Sequence, residues 1–238
     1  MRNKLALVVL FFTLTFVLSP LASVGFNGFT PFQFPIPQID PPVQPASYAF
    51  SIWGIIYFWL VLGAGYGLWR APNDPGWNAM RMPLAGSLII GTFWIAAANS
   101  APILATIMIV AMAALAILAV LRAGNLQPWL QVRPVALYAG WLTAASGVAI
   151  GVLLGGYGVF SAQAAAIICL IGVLAVALAV QSARPREWGY PAAVIWALVG
   201  VIVQNSSNTN WPVIALATFG IAALALRTKF SFTERPST

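Results

Sequence analysis

Residues 83–121 read PLAGSLIIGTFWIAAANSAPILATIMIVAMAALAILAVL, without one charged side chain. A membrane crossing takes about 20 apolar residues. The stretch is therefore too long for one span and long enough for nearly two. Its break is Asn99-Ser100-Ala101-Pro102. Ser100 suits a helix N-cap, and Pro102 is tolerated in a first helical turn. The stretch thus predicts a tight hairpin of two membrane helices.

Outward from this hairpin, apolar runs keep alternating with short polar punctuation. The pattern gives eight candidate helices: Leu5–Val24, Ser47–Trp69, Pro83–Ala98, Ala101–Leu121, Val135–Gly155, Ser161–Gln181, Tyr190–Val203 and Trp211–Leu226. The predicted fold class is all-α, a polytopic transmembrane helical bundle. The third run is slightly short and the last two clearly so. That last pair reads either as re-entrant or as spans leaning on snorkelling Trp residues.

Composition agrees. The 238 residues are 61% apolar and 6% charged, against about 25% charged in soluble domains. The net charge of +7 would raise the question of nucleic acid in a soluble chain. Here the basic residues come singly or in pairs between apolar runs, so no nucleic-acid partner is expected. With the N-terminus placed in the cytoplasm, Arg2, Lys4, Arg70, Arg81, Arg122, Arg133, Arg184, Arg186, Arg227, Lys229 and Arg235 all fall on that side. Asp40 is the only charge outside. This is the positive-inside pattern. It predicts a multi-pass protein of a bacterial inner (plasma) membrane with both termini cytoplasmic. The start, Met1-Arg2-Asn3-Lys4 before an apolar run, resembles a signal peptide, with Leu21-Ala22-Ser23 as a passable cleavage site. A signal's apolar region is about 7–15 residues. This run is longer and bulky, and reads as a retained helix.

The sequence has no histidine and four carboxylates: Asp40, Asp74, Glu187 and Glu234. That removes His-based metal sites, Ser-His-Asp triads and His relays. No charge falls mid-span, which argues against an ion path. Cys169, the single cysteine, lies in an apolar run and reads as a small filler. Thr92, Asn99, Thr143, Ser146, Gln163, Gln204 and Asn205 are among the few polar residues at membrane depth. Asn99 and Asn205 sit near hairpin tips, where solvation accounts for them.

Residues 25–45 form the longest external loop, with Pro at 31, 35, 37, 41, 42 and 45 and Phe at 26, 29, 32 and 34. Such a stiff apolar segment reads as lying on the membrane face or over the bundle mouth. The plainer reading is a connector anchored by its Phe residues. Of the ten Trp, Trp69, Trp77, Trp129, Trp188 and Trp211 sit at span ends, as interfacial anchors do. Trp53, Trp59, Trp94, Trp141 and Trp196 sit within spans. An indole N–H there wants a partner. These residues read either as helix packing or as walls of a pocket for a flat apolar ligand. Ala49, Trp53 and Tyr57, spaced four apart, share one helix face.

Pro41-Pro42 followed by Tyr48-Ala49-Phe50-Ser51-Ile52-Trp53-Gly54-Ile55-Ile56-Tyr57 resembles the signature of the tryptophan-rich sensory protein, or translocator protein, family. Tyr138, Trp141 and Ala145 resemble that family's fifth helix. The resemblance covers residues 5–155. It departs from the family pattern at Tyr48, where Trp is usual, in the shorter Phe50-to-Trp53 spacing, and at Ala149, where Asn is typical. Three further helices follow. The resemblance implies a five-helix core over residues 1–155 and a C-terminal addition over 156–238. It also implies a membrane protein that senses or carries a planar hydrophobic ligand, a tetrapyrrole such as porphyrin or haem, with sterols in some members. Tyr48, Phe50, Trp53, Tyr57, Tyr138 and Trp141 carry over as candidate pocket residues that stack on the macrocycle and bond its edge. Trp94 joins them from the mid-span set. No axial haem ligand is evident, so the porphyrin enters as ligand rather than resident cofactor.

Gly63-x-x-x-Gly67 and Gly147-x-x-x-Gly151-x-x-x-Gly155 put small residues on single helix faces. They suit packing within the chain, with a homodimer as the alternative. Spans offering only Tyr and Cys169 as titratable groups argue for binding over catalysis. The competing functional class is a structural or assembly subunit with no small ligand.

Overall fold

The computed structural model describes residues 4–22 and 28–233. Arg2, Ser23, Phe26, Glu234 and Arg235 lie outside the described residues. The helices are α1 (Lys4–Leu18), α2 (Ile52–Trp69), α3 (Pro75–Ser100), α4 (Pro102–Arg122), α5 (Val132–Gly156), α6 (Ala162–Ala183), α7 (Gly189–Ser206) and α8 (Trp211–Thr233). All eight are long and apolar enough to cross a membrane, α1 and α2 with the short 3-10 turns at Ser19–Ala22 and Ser47–Ser51. The molecule is an all-α integral membrane bundle.

Several boundaries differ from the sequence reading. The third helix begins at Pro75, not Pro83. Asp74 accepts a hydrogen bond from the Trp77 N–H at 2.8 Å and Pro75 takes the first helical position. This cap outweighs the donor lost at Pro83 inside the helix. The hairpin break falls one residue late: Ala101 is the cap, and Ser100 ends α3, its hydroxyl bonded to the Ala96 carbonyl. The expected shortness of the last pair disappears, since α7 and α8 run 18 and 23 residues. The polar residues after Val203 stay helical to Ser206, and α8 continues past Arg227.

Helix α5 is the most buried span, and α1 and α8 are the least. It packs against α4, α6, α7 and α2. Apolar lipid provides little drive for helix association, so close backbone approach must supply it. The glycines do so here. A Cβ on Gly63 would strike the Leu130 carbonyl at 2.5 Å, and one on Gly67 would strike the Trp77 ring. Gly140 lies against the Tyr190 carbonyl of α7, and Gly147 against Val173 of α6. Gly151 and Gly155 face Val43 and Gln38 of the long loop. Both glycine faces are thus occupied from within the chain.

The two ends of the bundle differ. One gathers the connections at 70–74, 123–131 and 184–188: the Gly124 N–H reaches the Gly76 carbonyl, and Arg184 reaches the Ala123 carbonyl. We call it the basic end. The opposite end carries the described part of the Pro-rich loop, which lies over the bundle mouth. The Ile36 N–H donates to Gly156 O at 2.9 Å and the Ala46 N–H to Gly200 O at 3.0 Å. Gln33 Nε2 donates to Ala98 O at 3.0 Å. Phe34, Gln38 and Val43 are buried. Asn205 is not solvated, as its hairpin-tip position suggested. It is 4% exposed, donates to Pro42 O at 2.9 Å and to Val201 O at 2.8 Å, and accepts from Asn210. It fastens the loop to α7.

Candidate functional site

The site grows from the start of α2. Its Trp53 and Tyr57, four residues apart, stack at 5.1 Å between centroids and 29° between planes. Across from them α5 presents Tyr138 and Trp141. Trp53 meets the Trp141 ring edge-on at 6.2 Å, and Phe50 meets it at 5.8 Å. From α1, Phe16 enters between the two helices, 5.9 Å from Trp53, 5.3 Å from Tyr57 and 5.7 Å from Tyr138. Gly91 on α3 makes room for it, since a Cβ there would lie 2.7 Å from the Phe16 ring. Edge-to-face contacts of this kind contribute beyond simple area burial.

Above this cluster is a small cavity of about 40 Å³. Phe50, Trp53, Trp94 and Trp141 wall it. Gly28, Phe29, Gln44 and Pro45 of the loop roof it. Ala144, Ala145, Val148 and Ala149 of α5 close the remaining side. Among the described residues no charged side chain lines it. Trp94 Nε1 donates to the Ala105 carbonyl at 3.0 Å. Trp141 Nε1 is buried and has no partner among the described residues. Ala149, where the family pattern has Asn, leaves that wall apolar.

The seven residues expected from the sequence therefore divide. Phe50, Trp53, Trp94 and Trp141 share the cavity. Tyr57 and Tyr138 stand behind it against Phe16, and the Tyr138 hydroxyl pairs with Ser87 Oγ at 2.9 Å in the core. Tyr48 is exposed and packs edge-on to Trp196 at 5.7 Å, away from the cavity. Sequence reasoning did not place Ala144, Ala145, Val148 and Ala149 in the site, although their positions three, four, seven and eight residues after Trp141 put them on its face. It also missed Phe16 and read Asn205 as solvated, since the local pattern gave no signal for either role.

A larger recess of about 430 Å³ lies between α4, α5 and α6, lined by Val110, Ile117, Cys169, Gly172 and Val176 among others. Thr143 and Ser146 on its floor already donate to backbone carbonyls. It holds no aromatic side chain and so offers no stacking face.

Among known proteins, the family model described as TSPO-like protein matches residues 5–230. The match runs on through the last three helices, beyond the five that carried the sequence motifs. No curated protein and no solved structure matches the chain.

Proposed function

The chain belongs to the TSPO-like protein family, and we propose that it binds a planar hydrophobic molecule, a tetrapyrrole, between α2 and α5. One observation carries this reading. The wall of the aromatic cavity contains a buried indole N–H, Trp141 Nε1, with nothing to donate to among the described residues. An unmet buried donor costs about 1–3 kcal/mol. A macrocycle whose face lies on Trp53 and Phe50 and whose polar edge accepts from Trp141 would recover that cost. Ligand pockets span roughly 300–1,000 Å³, far above the 40 Å³ enclosed here. Entry therefore requires the loop over residues 28–46 to lift. We place the basic end in the cytoplasm by the charge rule, so the loop opens outward. Sensing and carrying both fit this geometry.

The test is titration of the purified protein with protoporphyrin, read by quenching of Trp fluorescence. Saturable quenching is expected. Trp141→Phe, which keeps the ring and removes the donor, should weaken binding by roughly three- to tenfold, the worth of one hydrogen bond. Trp53→Ala should weaken it further. Quenching that does not saturate, or that both variants leave unchanged, refutes the proposal. The tightness of the closed cavity is what favours the competing reading of an assembly subunit without a ligand. That reading predicts no saturable quenching in any of the three proteins.

A further inference from the structure

The basic end holds a second aromatic cluster, remote from the cavity. Trp59 of α2, Trp129 of the α4–α5 connection and Trp188 of the α6–α7 connection form a triangle with centroids 6.0, 6.1 and 5.7 Å apart. Arg133, in the first turn of α5, lies against two of its three rings. Its Cζ is 4.2 Å from the Trp129 ring centroid and 5.6 Å from that of Trp188. The cage is held in place by backbone packing, since Gly189, beside Trp188, lies against the Arg133 carbonyl.

Arg133 Nε and Nη1 are buried and have no hydrogen-bond partner among the described residues. Arg81, at the same end, is a contrast. Its guanidinium is also buried, yet it donates to Pro72 O, Asn78 Oδ1, Gly67 O and Ala71 O at 2.6–2.9 Å. Indole faces give Arg133 cation–π attraction, but they leave its planar fork of donors unused. The carboxylate that feels Arg133, Glu187, also feels Arg184. Its Oε1 is engaged by the Gly189 N–H at 3.0 Å. Positive charge therefore remains in excess. Trp129 is 57% exposed, so the cage reaches the surface of the bundle.

We propose that Arg133 in its Trp59–Trp129–Trp188 cage is a binding site for a phosphate oxyanion, that of an anionic lipid headgroup. The oxyanion engages the guanidinium fork when Trp129, the exposed member, swings aside, and the other two indoles bound the site. Arginine matches a phosphate bidentately in a way lysine does not. Basic pockets between membrane helices take acidic headgroups by the same chemistry.

The test uses the full chain in nanodiscs of phosphatidylcholine alone or mixed with phosphatidylglycerol, with retained lipid counted by native mass spectrometry. Preferential retention of phosphatidylglycerol is expected. Arg133→Gln should reduce it by about tenfold or more, the loss of charge-assisted bonds. Arg70→Gln, which removes an exposed arginine stacked at 4.0 Å on Trp69, should leave it nearly unchanged. Should Arg133→Gln fail to fold, Arg133→Lys keeps the charge, loses the fork, and should still lower retention. A parallel titration with inorganic phosphate in detergent separates the sources. A thermal shift that depends on Arg133 there would assign the site to free phosphate and overturn the lipid assignment. Equal retention of both lipids, or equal losses in Arg133→Gln and Arg70→Gln, overturns the proposal.

Discussion

Replacing Asn205 with alanine tests whether the Pro-rich loop is a lid with a latch. Three hydrogen bonds end on the Asn205 amide, and they are not equivalent. The Val201 carbonyl it touches is four residues back on the same helix and keeps its helical partner. Asn210 loses Asn205 Oδ1 but retains Gln163 Oε1 at 2.7 Å. The Pro42 carbonyl loses its Asn205 donor at 2.9 Å, and this bond links α7 to the loop. One buried hydrogen bond contributes about 0.5–1.5 kcal/mol, and an acceptor left unmet costs somewhat more. A loss of about 1–2 kcal/mol raises the open population by roughly 5–30-fold. Hydrogen exchange reads this directly. The Ile36 and Ala46 amides cross from the loop to α5 and α7, so they exchange only when the loop lifts. In Asn205→Ala both should exchange faster by that factor, while amides in the middle of α5 keep their protection. Unchanged exchange at Ile36 and Ala46 would refute the latch. Equal acceleration at α5 would show that the substitution loosens the whole bundle instead.

Two further outcomes follow from other contacts. Gly140→Ala puts a methyl into the Tyr190 backbone carbonyl of α7. A carbonyl in a packed helix cannot step aside, so the variant should lose about 1–3 kcal/mol or more, seen as a lower Tm in detergent; an unchanged Tm contradicts the packing. Glu187 is 7% exposed, and burial pushes its carboxyl above the usual range, with the Gly189 N–H, Arg133 and Arg184 opposing only in part. The folded chain thus holds this proton more tightly than the unfolded one. Its contribution is full below the unfolded value of about 4.3 and is lost as pH rises through the folded value. Glu187→Gln removes that dependence. Its Tm relative to the parent should therefore climb from acidic to neutral pH, and parallel curves would reject the burial argument.

The bundle was legible because its signal is composition and period, which survive without tertiary knowledge. Eight apolar runs gave eight helices. Errors fell where one local device outweighed another. Pro83 reads as a helix start, but Asp74-Pro75 is a stronger start eight residues earlier, and it too was written in the sequence. The site was only half legible. Trp53 and Tyr57 share a face by spacing alone, and Trp53 does reach Trp141. Nothing in the spacing says that Tyr57 turns to Phe16 of α1, or that Tyr48 turns to Trp196. Those outcomes depend on which helices are neighbours. Asn205 was misread for the same reason: a polar residue near a hairpin tip is solvated unless another segment arrives to cover it.

The tryptophans gather in two clusters of one bundle, and each proposal rests on one of them. At the loop end the indoles meet a roof made of chain, and the proposed ligand requires that roof to lift. At the basic end two indoles, backed by Trp59, lie over a permanent charge. Trp59 reaches that cage from within α2, only six residues beyond Trp53, so one helix supplies an indole to each cluster. Substitution at either residue therefore tests a separate site. Trp53→Ala should alter ligand quenching and leave lipid retention alone. Trp59→Phe should do the reverse if the cage positions Arg133. Were each variant to alter both readouts, α2 would be transmitting between the clusters as a rigid body, and the two sites could not be treated as independent.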